Sequence, residues 1–311
     1  MMFKQKIKSF LSIFGIRISS IPKKMSESDE PVFGQVGNFK MLLTKTHALP
    51  GHLKHFPFYS SNLPRLVLTV KEKYSNLILI DVGANIGDTV ALTRSISSCP
   101  IVCIEGDDLY FNILKKNIAQ FNEVVAYQYF LGETDKTISG KTERDVGTLK
   151  ITPSTDPDPE KDLQILTLDT FLSLHSNYKT AKLLKIDTDG FDLMILRGGK
   201  KYISETKPVL FFEYDTRLLA EVNDDGISTL KALSDSGYET AIFYDNFGRF
   251  FLSASLSNDR LIRQLHQYLK DKKSGIHYYD ICLFHLEDKT LAEKFITDEM
   301  LFFETQGFLK H

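Results

Sequence analysis

The chain has 311 residues, 42% of them hydrophobic and 25% charged, enough to bury a sizeable core as one elaborated domain or two. Its formal net charge of -2 supplies no global basic field, which sets nucleic acid aside as a partner. Cys99, Cys103 and Cys282 are an odd number with no CxxC pairing, so neither a disulfide framework nor a zinc site is expected, and a reducing cytoplasm fits best.

No apolar run approaches the roughly 20 residues that span a bilayer. At the N-terminus, Phe3, Ile7, Phe10, Leu11 and Phe14 fall on one helical stripe flanked by Lys4, Lys6 and Lys8. That pattern suits a helix docked on the domain, or one lying peripherally on the cytoplasmic face of a membrane through residues 1–16. With the polar stretch Lys23–Pro31 it forms a first region, 1–31. Residues 32–76 read as an irregular extension covering the ligand site, because Gly34, Gly37, Pro50, Gly51, Pro57 and Pro64 interrupt any long element. Its His47, His52 and His55 lack metal-ligand spacing and are expected on the surface or lining a pocket.

A regular domain is expected over 77–290, followed by a tail, 291–311. Leu77–Val82 is a continuous apolar run, the pattern of a strand buried on both faces, with a helix from Asp88. Ile101–Glu105 repeats the strand, and a helix through Leu109, Ile113 and Ile118 takes Asp107 or Asp108 as its cap. Val124–Leu131 reads as a third strand. An insert at 132–165 then breaks the rhythm, with a hairpin over Thr137–Ile151 and a Pro- and Asp-rich loop from Pro153 to Asp162. A short helix starts at Thr167–Thr170, Lys182–Asp187 is a fourth strand, a helix runs through Ile195 to Ile203, and Pro208–Glu213 is a fifth strand. Tyr238–Tyr244 and Arg249–Ser253 form an antiparallel addition, and a helix across Leu261–Leu269 leads to a last strand, Asp280–Phe284. The alternation predicts an α/β, Rossmann-like doubly wound sheet, mostly parallel with an antiparallel C-terminal strand.

The chemistry concentrates at strand ends. Asp81-Val82-Gly83-Ala84-Asn85-Ile86-Gly87 follows the first strand, and small residues at Gly83 and Gly87 let the backbone approach a ligand. Asn85 stands where a dinucleotide loop has its second glycine, so DxGxxxG suits S-adenosylmethionine, which has no pyrophosphate to cradle. Glu105 ends the second strand, 24 residues after Asp81, where a carboxylate can accept both ribose hydroxyls. Asp187-Thr188-Asp189-Gly190 and Glu213 end the next two strands, so three carboxylates gather beside the glycine loop. A carboxylate at the fourth strand's tip is placed to act as base for a hydroxyl nucleophile, whereas Asp189 is expected to cap the next helix.

IDVGANIGDT (Ile80–Thr89), IEGDDLYFNILKKNI (Ile104–Ile118), TLDTFL (Thr167–Leu172), LLKIDTDGFDLMILRGGKKYI (Leu183–Ile203) and KPVLFFEYD (Lys207–Asp215) together resemble the FkbM-type methyltransferases. The resemblance covers roughly residues 57–215 and implies a class I methyltransferase sheet, S-adenosylmethionine as methyl donor, and O-methylation of a sugar or other small-molecule hydroxyl. It assigns cofactor binding to Asp81, Gly83, Asn85, Gly87 and Glu105, a catalytic edge to Asp187 and Glu213, and no metal ligands. The family usually has proline where this chain has Gly106, and commonly glutamate where it has Asp189. Acceptor choice is expected to reside in the insert and beyond Asp215. The rival readings are a metal-dependent glycosyltransferase using Asp187-Thr188-Asp189 as a DxD motif, a dehydrogenase, and a non-catalytic descendant that binds cofactor or a partner.

Overall fold

The computed structural model describes residues 31–145, 148–153, 162–271 and 275–306. The expected N-terminal helix and most of the Pro- and Asp-rich loop lie outside these residues. Among the described residues no helix is long and apolar enough to cross a membrane.

The chain enters through a hairpin, β1 (Pro31–Val36) and β2 (Phe39–Thr44), then the helices Leu49–His55 and Asn62–Lys73. This corrects the expectation of an irregular extension. Each proline and glycine sits where it is tolerated: Gly37 supplies the hairpin turn at φ 55°, and Pro50 lies in the first turn of its helix.

The main sheet contains β3 (Leu79–Val82), β4 (Ile101–Ile104), β5 (Val124–Tyr127), and later β10 (Leu183–Ile186), β11 (Val209–Tyr214), β12 (Tyr238–Asp245), β13 (Phe250–Ser255) and β14 (Tyr279–His285). Its eight strands run in the order β13-β12-β14-β11-β10-β3-β4-β5. The five strands from β11 to β5 are mutually parallel, while β14 runs antiparallel to both β11 and β12, and β13 antiparallel to β12. Every residue of β3, β4 and β10 is buried, because the two-residue period sends alternate side chains to opposite cores. Ile80, Val82, Ile104 and Ile186 pack against Phe171, Leu193 and Ile195 on one face. Leu79, Ile101, Cys103 and Leu183 pack against Leu66, Phe111, Leu114 and Phe295 on the other. The chain builds outward from β3 through β4 to β5, then returns to place β10 on the opposite side of β3. The ends of β3 and β10 therefore flank the switch point, where an open α/β sheet leaves a crevice for ligands.

Three further expectations need correcting. The third strand stops at Tyr127; Phe130–Gly132 (β6) leaves the sheet and pairs with β9 (Asp162–Thr167). With β7 (Lys136–Asp145) and β8 (Thr148–Pro153), these make a separate four-stranded sheet ordered β6-β9-β7-β8. The expected helix through Ile203 is two helices, Asp192–Gly198 and Lys200–Thr206, divided at Gly198-Gly199 where small residues disfavour helix continuation. The expected C-terminal tail is instead a helix, Lys289–Thr305, burying Leu291, Phe295 and Phe303 on one face. A bidentate ion pair holds it to the helix Asn62–Lys73: Arg65 Nε donates to Glu299 Oε1 at 2.5 Å and Nη2 to Oε2 at 2.8 Å. The helices Thr216–Glu221 and Ile227–Asp235 had no place in the sequence reading.

Candidate functional site

The glycine loop is shaped by its neighbours before any ligand is considered. Gly83 has φ 74°, and a Cβ there would lie 1.9 Å from the Asp187 carbonyl oxygen. The tips of β3 and β10 can therefore meet only with glycine at this position. Asn85 also adopts a left-handed conformation, φ 48°, and its N–H donates to Glu105 Oε2 at 2.8 Å. Glu105 Oε1 accepts from the Asp107 N–H at 2.9 Å. Burial pushes the Glu105 carboxyl up to about 7, against the pull of those two N–H groups. Asp107 in turn caps the helix Asp108–Ile118, accepting from Leu109 N and Tyr110 N.

Behind the loop, Asp81 and Lys185 are register partners on β3 and β10, with Lys185 Nζ 2.9 Å from Asp81 Oδ1. Lys185 Nζ also donates to the Gly83 carbonyl at 3.2 Å and lies 3.5 Å from Asp187 Oδ2. Burial lifts Asp81 to about 6 while Lys185 pulls it down. Burial also opposes the charge on Lys185, but Asp81, Asp187 and Asp88 together outweigh it and raise the pKa of the ammonium. A buried lysine of this kind fixes the loop from beneath.

Two cavities open at these strand ends. The first, about 260 Å³, is lined by Glu105, Gly106, Tyr110, Phe130, Leu131, Ile165 and Met194, among others. Gly106 explains one departure from the family pattern, since a Cβ there would lie 2.3 Å from the Phe130 ring. The second cavity, about 300 Å³, is lined by His47, Tyr59, Asn62, Lys185, Glu213, Tyr278 and Asp280, among others. Gly83, Asn85, Asp187 and Asp189 line both.

Of the residues singled out from sequence, Gly83, Asn85, Glu105, Asp187 and Glu213 therefore reach a cavity. Asp81 and Gly87 do not line either cavity: Asp81 is fully buried beneath the loop, and Gly87, at φ 87°, packs against Leu114 at the start of the helix Asp88–Arg94. Asp189 is not a helix cap. The helix begins at Asp192 after Phe191, and Asp189 sits in the loop at φ 53°, facing the cavities. Asp192 instead organises this turn, its Oδ2 accepting from Gly190 N at 3.2 Å and Thr188 Oγ1 at 3.3 Å.

Sequence reasoning missed Asp280, Tyr59, Tyr278 and Lys185. Lys185 alone left a signal, a charge inside an otherwise apolar strand that must find a partner. His47, expected only on the surface or in a pocket, is a pocket residue: its Nδ1 accepts from Leu49 N at 3.2 Å, which leaves Nε2 to donate to Asn85 Oδ1 at 3.3 Å. Burial lowers its pKa, favouring this neutral form. Among the described residues, no three His, Cys, Asp or Glu side chains form a group able to hold a metal ion.

Residues 81–240 match the family described as the methyltransferase FkbM domain. No curated protein matches the chain in sequence. Among solved structures it is similar to methyltransferase FkbM from Methylobacillus flagellatus KT, at 15% identity and a TM-score of 0.36, covering 68% of this chain and 44% of that one. It is also similar to M. jannaschii TYW2 in complex with AdoMet, at 10% identity and a TM-score of 0.38, covering 85% and 90% of the two chains. Precorrin-6y C5,15-methyltransferase from Geobacter metallireducens GS-15 matches at 12% identity and a TM-score of 0.34, covering 68% and 80%.

Proposed function

The chain belongs to the FkbM methyltransferase family, whose methyl donor is S-adenosylmethionine, and on that premise we propose that it methylates a hydroxyl of a sugar or sugar-like acceptor. The observation that carries this reading is the shared wall of Gly83, Asn85, Asp187 and Asp189 between one largely apolar cavity and one rich in carboxyl groups.

The residues of the first cavity fit the donor. Each Glu105 oxygen already accepts one backbone N–H and keeps a lone pair for a ribose hydroxyl. Tyr110, Phe130, Leu131, Ile165 and Met194 offer apolar surface for a purine. The missing Cβ at Gly83 gives a backbone cradle at the junction. When bound, the cofactor supplies a methyl group on a positively charged sulfur.

The second cavity receives the acceptor. Asp187, whose side chain is 57% exposed and lines both cavities, accepts the hydroxyl proton as the acceptor oxygen bonds to the methyl carbon. A bound donor would give up its methyl group and leave as a neutral thioether, so the bond made to oxygen would be matched by one broken at sulfur. Lys185, 3.5 Å away, holds the Asp187 carboxyl in place. The insert expected to select the acceptor contributes Glu133, Thr134, Lys136 and Ile165 to the first cavity instead. Acceptor recognition on this reading falls to the N-terminal extension, through His47, His52, Tyr59 and Asn62, and to the C-terminal strand end, through Tyr278 and Asp280.

The test is transfer of isotopically labelled methyl from S-adenosylmethionine to a panel of mono- and oligosaccharides, phenols and amines, with the product mapped by mass spectrometry. A methyl ether on a sugar supports the proposal. Transfer only to carbon, nitrogen or a phenol overturns it.

A further inference from the structure

Glu213 and Asp280 face each other directly across β11 and β14 as antiparallel register partners. Opposed residues of an antiparallel pair project from the same face with Cβ atoms about 4.5–5.5 Å apart, and both of these line the second cavity. Adjacent strands lie about 4.8 Å apart, which places β11 about 10 Å and β14 about 14 Å from β3. The pair is thus displaced along the sheet from the glycine loop, toward the acceptor.

Two carboxyls so placed disfavour each other's ionisation unless a cation joins them. Among the described residues no lysine or arginine pairs with either one. Lys185, the buried cation of the cavity, is held by Asp81 at 2.9 Å and Asp187 at 3.5 Å. Arg217 is largely exposed and paired with Asp215. Asn62 Nδ2 donates a hydrogen bond to Asp280 Oδ2 at 3.2 Å. Burial lifts Asp280 to about 7 and, with Asp187, Asp192 and Asp189 nearby, lifts Glu213 well above the usual carboxylate range. Tyr59 and Tyr278 line the same cavity. Carboxylates beside aromatic rings are the chemistry that recognises an organic ammonium.

We propose that Glu213 and Asp280, flanked by Tyr59 and Tyr278, form the seat for an ammonium group carried by the acceptor, so that the substrate is an amine-bearing polyol such as an amino sugar. This rests on the reading of the second cavity as the acceptor's. The ammonium replaces the proton held between the two carboxyls, which leaves for solvent, and both carboxylates then ionise against one positive charge. An anionic acceptor, a sugar phosphate or nucleotide sugar, meets repulsion at the same place.

The test titrates the full-length protein, saturated with S-adenosylhomocysteine, with the isosteric pair glucosamine and glucose, and with glucose 6-phosphate, by calorimetry at pH 7 in two buffers of different ionisation enthalpy. Glucosamine is expected to bind at least ten-fold tighter than glucose, with heats that differ between the buffers because a proton is released. Asp280→Asn and Glu213→Gln, each shown to be folded by thermal unfolding, should both reduce that preference to two-fold or less. Equal binding of the two sugars, no binding of glucosamine, tighter binding of glucose 6-phosphate, or a preference that survives both substitutions overturns the ammonium seat. Failure of S-adenosylhomocysteine to bind overturns the methyltransferase reading instead, and the amine preference is then read in its absence.

Discussion

The two halves of the site are built in opposite ways. Around the first cavity, Asn85 N and Glu105 Oε2 are bonded across 20 residues, within one strand–helix–strand unit, and Phe130, Ile165 and Met194 complete the lining. The half around the second cavity is gathered from the ends of the chain, with Asn62 bonded to Asp280 across 218 residues. Their electrostatics differ equally. Glu105 is buried but answered by two backbone N–H groups, whereas Glu213, Asp187 and Asp280 line one cavity whose buried lysine is already held by Asp81 and Asp187. On the proposed reading, the donor is met by a loop and a strand-end acid close in sequence, and the acceptor by side chains from distant segments.

Substitutions should separate the two halves. The largest effect is expected from Gly83→Val, which places side-chain atoms against the Asp187 carbonyl in a backbone conformation that disfavours them. Calorimetry should then detect no binding of S-adenosylhomocysteine; an unchanged affinity would remove the glycine loop from the cofactor site. Asp187→Asn should lower turnover about 100-fold with little change in cofactor affinity. If cofactor binding collapses instead, Asp187 belongs to the first half and the boundary drawn at the shared wall is wrong.

Glu105→Ala should weaken cofactor binding by about 1.5–3 kcal/mol through the loss of charged hydrogen bonds, while leaving the glucosamine preference intact. Coupling between the two measurements would show that the cavities do not act separately.

The smallest effect concerns stability. Burial raises the folded pKa of Asp280 to about 7 from the ordinary 3.8, so between these limits the folded state holds more protons than the unfolded one. Stability of the ligand-free protein must therefore fall as pH rises through this window. Thermal unfolding should show a melting temperature a few degrees higher at pH 5 than at pH 7.5. Asp280→Asn should flatten that slope, and an amine ligand should offset it; a slope unaltered by the substitution would assign the effect to Asp81, Glu105, Asp192 or Glu213.

Much of the first half could be read directly. The apolar runs of β3, β4 and β10 are buried on both faces and so carry no polar interruptions except Asp81 and Lys185, the pair they bury together. Gly83, Asn85 and Glu105 were recognisable because a tight loop and a strand-end acid have local sequence requirements. Asp81 and Gly87 share that motif, yet Asp81 is buried beneath the loop, Gly87 opens the following helix, and neither lines a cavity. The extension at 32–76 reads as irregular because short elements punctuated by proline and glycine look like loop when counted by composition.

The sequence by itself determined the alternating sheet, the glycine loop, the acid at Glu105 and the carboxylates at Asp187 and Glu213, because each depends on residues within a few turns or one strand of one another. The tertiary structure alone decided that β6 leaves the main sheet to bring the insert over the first cavity, that His47 reaches Asn85, and that Asp280 stands opposite Glu213. Those outcomes depend on strand order and register between segments more than 60 residues apart in the last case and 38 in the second. No local spacing encodes such distances, because the chain closes them only when two hydrophobic faces have found each other across the sheet.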